Sequence, residues 1–333
     1  LLLEPGVGGP ITVEIQNRTL RAPAGRFRAR LALLPTPVPA ARLWAEAAQA
    51  EAGRLLAAAG TGDGERARDH LQAALATWQE LGETARQAWT LIEIGVSFEA
   101  EQDFRRAAAS YERAVTLWRP LDHPAGLAAA LDRLGLAQQQ LGQSPRAVAS
   151  LEEALALRRQ LGVPEREAPS RSHLGLALQR SGRFDDAGRE YETALRLARK
   201  LSDPELEGRL LNNLGGLASN RGDAEREQSF LEQALALRRS IGDELGEAIT
   251  LNNLGAFHRG LGELDEALLS YTAALGIFER LGDRYWQART LNNLGFASLT
   301  LGEPERARSQ LLQGLPLRRE VGDRQGEATT LRN

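Results

Sequence analysis

The side chains best suited to chemistry are paired amides with arginines near them. Asn212-Asn213, Asn252-Asn253 and Asn292-Asn293 recur every forty residues, with Arg209, Arg259 and Arg289 close by in sequence. An asparagine amide offers donors and an acceptor together, which suits hydrogen bonding to a peptide backbone or to another amide. Guanidinium groups add two-pronged recognition of carboxylates. Covalent chemistry finds little support. The chain has no cysteine, which removes disulfides, thiolate metal ligands and a cysteine nucleophile from this sequence. Its four histidines, His70, His123, His173 and His258, are far apart and show neither triad nor metal-ligand spacing. His123 is placed to cap a helix. The glycines are not phosphate loops, because no strand precedes them. No catalytic residue, metal site or cofactor site is expected.

Composition narrows the partners. The 41 basic and 44 acidic residues leave a net charge of −3, so nothing favours nucleic acid or an anionic membrane. Lys200 is the only lysine among the basic residues, a habit of composition rather than a site. Leu1 to Leu3 is too short for a membrane span. The expected partner is a protein or peptide, with oligomeric state open.

The amides must be held at a constant spacing, and small residues set it. Gly95, Gly135, Gly175, Gly215, Gly255 and Gly295 lie on one ruler of forty; Gly142, Gly182, Gly222, Gly262 and Gly302 lie on a second. Ala107, Ala147, Ala187, Ala267 and Ala307 form a third, broken at Glu227. Self-similarity at such a period marks a solenoid. Second-ruler glycines fall where a helix ends in the left-handed conformation. Asp203, Asp243, Asp283 and Asp323 fall at helix N-caps, and Pro124, Pro145, Pro164, Pro204 and Pro304 at helix starts. Pro169 predicts a kinked or delayed first turn, and Pro316 a bend. A helix-interior glycine costs roughly 1 kcal/mol relative to alanine, so the first ruler predicts close backbone crossings inside helical hairpins. Tyr111, Leu151, Tyr191, Leu231, Tyr271 and Leu311 alternate four residues after the third ruler. Arg158-Arg159, Arg238-Arg239 and Arg318-Arg319 recur every eighty residues, and are expected on solvated helix ends favoured by the dipole.

These repeats resemble the tetratricopeptide repeat (TPR). Its pattern of W-x2-L-G-x2-Y followed by A-x3-F reads here as Leu251-x2-Leu254-Gly255-x2-His258, then Ala267-x3-Tyr271. The terminal proline is absent and the second helix runs on, as in kinesin light chains and bacterial multi-repeat regulators. The resemblance covers about 41–333. It implies an all-α superhelical solenoid of about seven helix-turn-helix repeats, whose first helices line a concave groove that binds an extended or helical peptide. The groove positions it assigns are Asn212, Asn213, Asn252, Asn253, Asn292, Asn293, Arg209, Arg259, Arg289 and Phe296. Two readings of the amides stand side by side: they grip a peptide, or they tie neighbouring helices together. Ile92-Glu93, Asp132-Arg133 and Ser172-His173 occupy the same places upstream, so a two-toned groove is expected. The family's lysine-based anionic clamp is not reproduced.

Residues 1–34 read differently. Ile11, Val13 and Ile15 alternate with polar residues, Ala22-Pro23-Ala24-Gly25 is turn chemistry, and Phe27, Ala29, Leu31 and Leu33 alternate again. Two strands do not stand alone. The expectation is a short β-hairpin-like remnant of an upstream β-domain over 1–34, a stiff proline linker over 35–40, and the array over 41–333. The chain lacks methionine and stops at Thr330-Leu331-Arg332-Asn333, matching Thr290 to Asn293 part-way through a first helix; an internal fragment is expected. The strand Gly25 to Leu31, the linker, and the endings Leu155 to Arg159 and Leu315 to Arg319 resemble bacterial CHAT-domain proteins, which carry such arrays ahead of a caspase-like protease. The resemblance implies a non-enzymatic sensing or recruiting arm of that protease. The alternative is the regulatory array of a signal-transduction ATPase or transcription regulator. Compartment stays open between the cytoplasm and export.

Overall fold

The computed structural model describes residues 11–14, 28–31, 39–58 and 63–333. Strands β1 (Ile11–Glu14) and β2 (Arg28–Leu31) pair antiparallel, with Ile11 opposite Leu31. The expected turn between them and most of the proline linker lie outside the described residues. The helices are α1 (Ala40–Ala58), α2 (Asp63–Glu80), α3 (Thr84–Ala100), α4 (Phe104–Trp118), α5 (Pro124–Gln140), α6 (Ser144–Leu161), α7 (Pro164–Arg180) and α8 (Phe184–Lys200). They continue as α9 (Pro204–Arg221), α10 (Ala224–Ile241), α11 (Glu244–Leu261), α12 (Leu264–Leu281), α13 (Arg284–Thr300), α14 (Pro304–Glu320) and α15 (Arg324–Arg332). Each odd helix packs most heavily on the even helix that follows, giving seven hairpins from α1/α2 to α13/α14, with α15 opening an eighth. Among the described residues no helix is long and apolar enough to cross a membrane.

Local chemistry ends the helices where expected. The carboxylates of Asp203, Asp243, Asp283 and Asp323 each accept the amide proton three residues on, and His123 Nδ1 does the same for Gly126 at 2.9 Å. The five second-ruler glycines all have positive φ, between 71° and 87°. Pro169 is a correction. Helix α7 begins at Pro164 and passes through Pro169 without delay. The one bond that Pro169 removes would go to the carbonyl of Glu165, an exposed residue that water can satisfy.

The first glycine ruler is a row of sockets. Gly255 lies against the fully buried ring of Tyr271, and a Cβ there would sit 2.7 Å from ring carbons. Gly95 and Gly175 receive Tyr111 and Tyr191 in the same way, while Gly135, Gly215 and Gly295 receive Leu151, Leu231 and Leu311. The residue sixteen places after each glycine fills the space its side chain would take. The joints between hairpins use the same size matching. Trp118 packs on Gly126, Arg238 on Gly246 and Arg318 on Gly326, whereas Ala198 stands at the position facing Leu206. Phe278 instead stacks on Trp286, with centroids 5.4 Å apart.

Arg238 and Arg318 correct a second expectation. They are 4% and 6% exposed rather than solvated, and each is ion-paired with the cap of the following helix, Asp243 or Asp323. Only the second arginine of each pair behaves as a surface residue, Arg239 reaching Glu247 at 2.8 Å. Successive odd helices also approach one another, from α3/α5 to α11/α13, more closely than successive even ones. The odd helices therefore line the inner, concave side.

Gly255→Leu should lower stability by about 3 kcal/mol, because overpacking a socket closed by a buried ring has no escape. Gly262→Ala, at φ +82° with nothing near the new Cβ, should lose about 1–2 kcal/mol from the left-handed backbone alone. Urea unfolding of both variants measures this; equal, small losses would contradict the socket.

Candidate binding groove

The six asparagines lie on the inner faces of α9, α11 and α13, and the structure gives each of them a partner. Asn212 Nδ2 donates to Thr250 Oγ1 at 2.8 Å, and Asn212 Oδ1 accepts from Asn253 Nδ2 at 3.3 Å. Asn252 Oδ1 accepts from Thr290 Oγ1 at 3.3 Å and from Asn293 Nδ2 at 3.1 Å. Asn292 Oδ1 accepts in the same way from Thr330 and Asn333. Asn213 makes the longest contact, donating to Ser172 Oγ at 3.5 Å. The first amide of each pair thus reaches forward one repeat and the second reaches back. Upstream, Ser170 Oγ donates to Asp132 Oδ2 at 3.0 Å across the same interval, so the ladder continues there with different chemistry.

The rest of the groove stripe is open. Arg209, Gly216 and Asn220 on α9 are exposed, as are Phe296 and Thr300 on α13. Arg259 lies over the Phe296 ring at 5.1 Å, and Arg289 over Trp286 at 4.5 Å and Tyr285 at 5.7 Å. The downstream groove is therefore faced with aromatic rings that carry guanidinium groups, a pairing worth about 0.5–1 kcal/mol at exposed sites.

Between these tones lies a cavity of about 300 Å³ on the inner faces of α7, α9 and α11. Arg209, Asn212, Asn213 and Asn253 line it, joined by His173 and Arg238. Arg209 has no ion-pair or hydrogen-bond partner among the described residues. His173 Nδ1 is buried and also unpartnered. Burial, reinforced by the charges of Arg209 and Arg133, pushes the His173 imidazole down to about 4, so it is neutral near pH 7. Sequence reasoning placed Arg209 and the amides together but missed both His173 and Arg238 as cavity residues. The eighty-residue recurrence of Arg238 and Gly246 was the available signal for the second.

The profile of the tetratricopeptide repeat matches residues 47–120, 166–240 and 246–320, and a second profile of the same repeat matches 130–165. The chain is a tetratricopeptide-repeat protein. None of the curated protein sequences compared matches this TPR chain. Among solved structures, the apo form of RapI superposes with a TM-score of 0.70 at 10% identity, over 84% of this chain and 99% of that one. A Rap protein complexed with Competence and Sporulation Factor gives 0.59 at 15% identity, over 80% and 78%. A Signal Transduction ATPase with Numerous Domains from Pyrococcus horikoshii, described with a TPR sensor, gives 0.59 at 14% identity, over 86% and 51%. At these identities the likeness shows the TPR fold alone.

Asn252 is 4% exposed and Thr290 fully buried. Asn252→Ala should therefore lower the stability of the array by about 1–3 kcal/mol, by stranding a buried hydroxyl and an amide. Gly216→Ala, on the same inner face with nothing nearer than 3.8 Å, should instead raise stability by roughly 0.5–1 kcal/mol through helix propensity. Chemical unfolding of the two variants reads the signs; a neutral Asn252→Ala would show that the ladder contributes no net stability.

Proposed function

We propose that this TPR array is a protein-interaction scaffold that takes a peptide or a segment of a partner protein along its concave face. The observation that carries the reading is the inner-face cavity across three successive repeats, lined by Arg209, which is unpaired among the described residues, and by hydrogen-bonding amides. The amides already bonded to one another hold repeat spacing, and those bonds leave Arg209, Arg259, Arg289 and Phe296, with the second amide proton and the oxygen of Asn213 and Asn253, as the groups that meet the partner. A regular row of polar groups suits an extended chain, because successive peptide units present donors and acceptors at regular intervals.

The larger setting follows from two strands of support. The resemblance of Gly25 to Leu31 and the Leu155 to Arg159 and Leu315 to Arg319 endings to CHAT-domain proteins supports a recruiting arm for a caspase-like protease. The likeness to a signal-transduction ATPase with a TPR sensor favours the second reading, a sensor that relays occupancy to an ATPase. In both, the array recognises and another domain acts.

Arg209→Ala combined with Phe296→Ala should weaken partner binding at least ten-fold in calorimetry and leave the melting temperature within a degree or two, since both residues are exposed. Leu269→Glu, on the outer helix α12 where Leu269 is 71% exposed, should leave binding unchanged. Loss of binding by the outer variant alone would overturn the groove.

A further inference from the structure

One repeat departs from the others on the outer side of the array. Arg171 on α7 stands where α3, α5, α9, α11 and α13 bury Leu91, Leu131, Leu211, Leu251 and Leu291. Its guanidinium is largely buried and holds two carboxylates, Glu167 at 2.8 Å and Glu190 of α8. The first capture frees a neighbour. At forty-residue intervals Arg199, Arg239 and Arg319 each donate to the glutamate eight residues on, Glu207, Glu247 and Glu327. Arg159 has Glu167 at the same interval, but Arg171 has taken that carboxylate. Arg159 is exposed and has no ion-pair or hydrogen-bond partner among the described residues.

The second capture leaves space. Second helices splay apart on the convex side, so a groove lies between each successive pair with a first helix beneath it. Between α8 and α10, Phe230 lines that groove and about 30 Å³ remains. Glu190 stands forty residues before Phe230; with its carboxylate drawn to Arg171, the groove between α6 and α8 keeps a cavity of about 300 Å³. Leu155, Ala156, Leu174 and Leu178 give it an apolar lining, and Arg159 completes one side. Each carboxylate of the lining is already answered: Glu152 by Arg183 at 3.7 Å, Asp186 by Arg183 at 2.7 Å and by Arg189, and Glu190 by Arg171. Arg159 is the cation of the lining that has no counter-ion among the described residues.

We propose that this outer cavity binds an amphipathic carboxylate, a linear alkyl chain whose charged end pairs with Arg159. A groove between two helices is longer than it is wide, which suits a linear chain, and its size is at the lower end of small-molecule sites, about 300–1,000 Å³. The chain covers the leucines, and each methylene taken out of water tightens binding roughly four-fold. The planar guanidinium matches a carboxylate with two parallel hydrogen bonds. Because Arg159 is exposed, solvent screens that pair, and it adds about five-fold. An ammonium end group meets a free cation and carboxylates that already have partners. The site lies on the side away from the inner-face groove and does not depend on that reading.

The test titrates the full chain near neutral pH with sodium octanoate, sodium hexanoate, octanol and octylammonium chloride, by calorimetry and by amide chemical shifts. Octanoate should bind saturably with shifts confined to α6, α7 and α8, and hexanoate roughly ten-fold more weakly. Octanol should bind about five-fold more weakly than octanoate, and octylammonium should not saturate. Arg159→Gln should bring octanoate down to the affinity of octanol and leave octanol unchanged. Arg239→Gln, which removes the paired arginine at the end of α10, should change neither. Ala156→Phe, at an exposed position, should fill the groove as Phe230 does between α8 and α10 and abolish octanoate binding. If that variant melts early, the unequal response of octanoate and octanol to Arg159→Gln decides. The site is overturned by equal binding of octanoate and octylammonium, by octanoate binding that survives a folded Ala156→Phe chain, or by no saturable binding at any soluble concentration.

Discussion

Everything in this fold depends on two helix backbones coming close enough for one side chain to fill the space another lacks. Gly255 accommodates the ring of Tyr271, and five further glycines at forty-residue intervals accommodate tyrosine or leucine. Each such glycine weakens its own helix by roughly 1 kcal/mol, and burial of the side chain it admits, about 1.5–3 kcal/mol, offsets that loss. Because the sockets recur without insertion, each hairpin repeats its neighbour's geometry. Size matching at the joints, Trp118 on Gly126 and Arg238 on Gly246, then passes the same rotation along the stack. Nearest-neighbour packing of this kind makes a solenoid's stability close to a sum of repeat and joint contributions.

The regularity has a consequence for recognition. A position that repeats every forty residues lands at one place on every first helix, so a paired amide becomes a ladder running along the groove. In this protein the ladder is largely closed on itself through Asn212, Asn252 and Asn292. Amides bonded in this way are half-buried or buried, and a ligand gains little by replacing one amide partner with another. In the proposed scaffold, discrimination falls to groups that the ladder leaves over: Arg209, and the guanidinium groups laid on Trp286 and Phe296. On that proposal the repeat supplies the frame, and departures from the repeat supply the specificity.

The same distinction explains what could be read from the sequence. Features that recur at every repeat were legible: the glycine sockets, the capping aspartates, the left-handed glycines, the odd-helix groove stripe. Features belonging to one repeat were not. Arg238 looked solvated because it stands beside a second arginine in the last turn of α10, and only the facing glycines Gly208 and Gly246 show that a guanidinium is lodged between repeats. His173 stands at the place of an asparagine, so its type was visible, but the cavity it lines is completed by Leu206 and Arg209 from the next repeat. Pro169 suggested a broken first turn because a local rule was applied without knowing that the affected carbonyl belongs to an exposed residue. The two readings of the amides could not be separated without distances, because either role needs the same residues at the same spacing.

The central claim is that recognition belongs to the inner face and structure to the sockets behind it. Photo-crosslinking tests it most directly, with a benzophenone side chain placed at Gly216 on the inner face, where it has room, and separately at Leu269 on the outer face. The partner should crosslink from position 216 and not from 269. Efficient crosslinking from 269 with none from 216 would contradict the account.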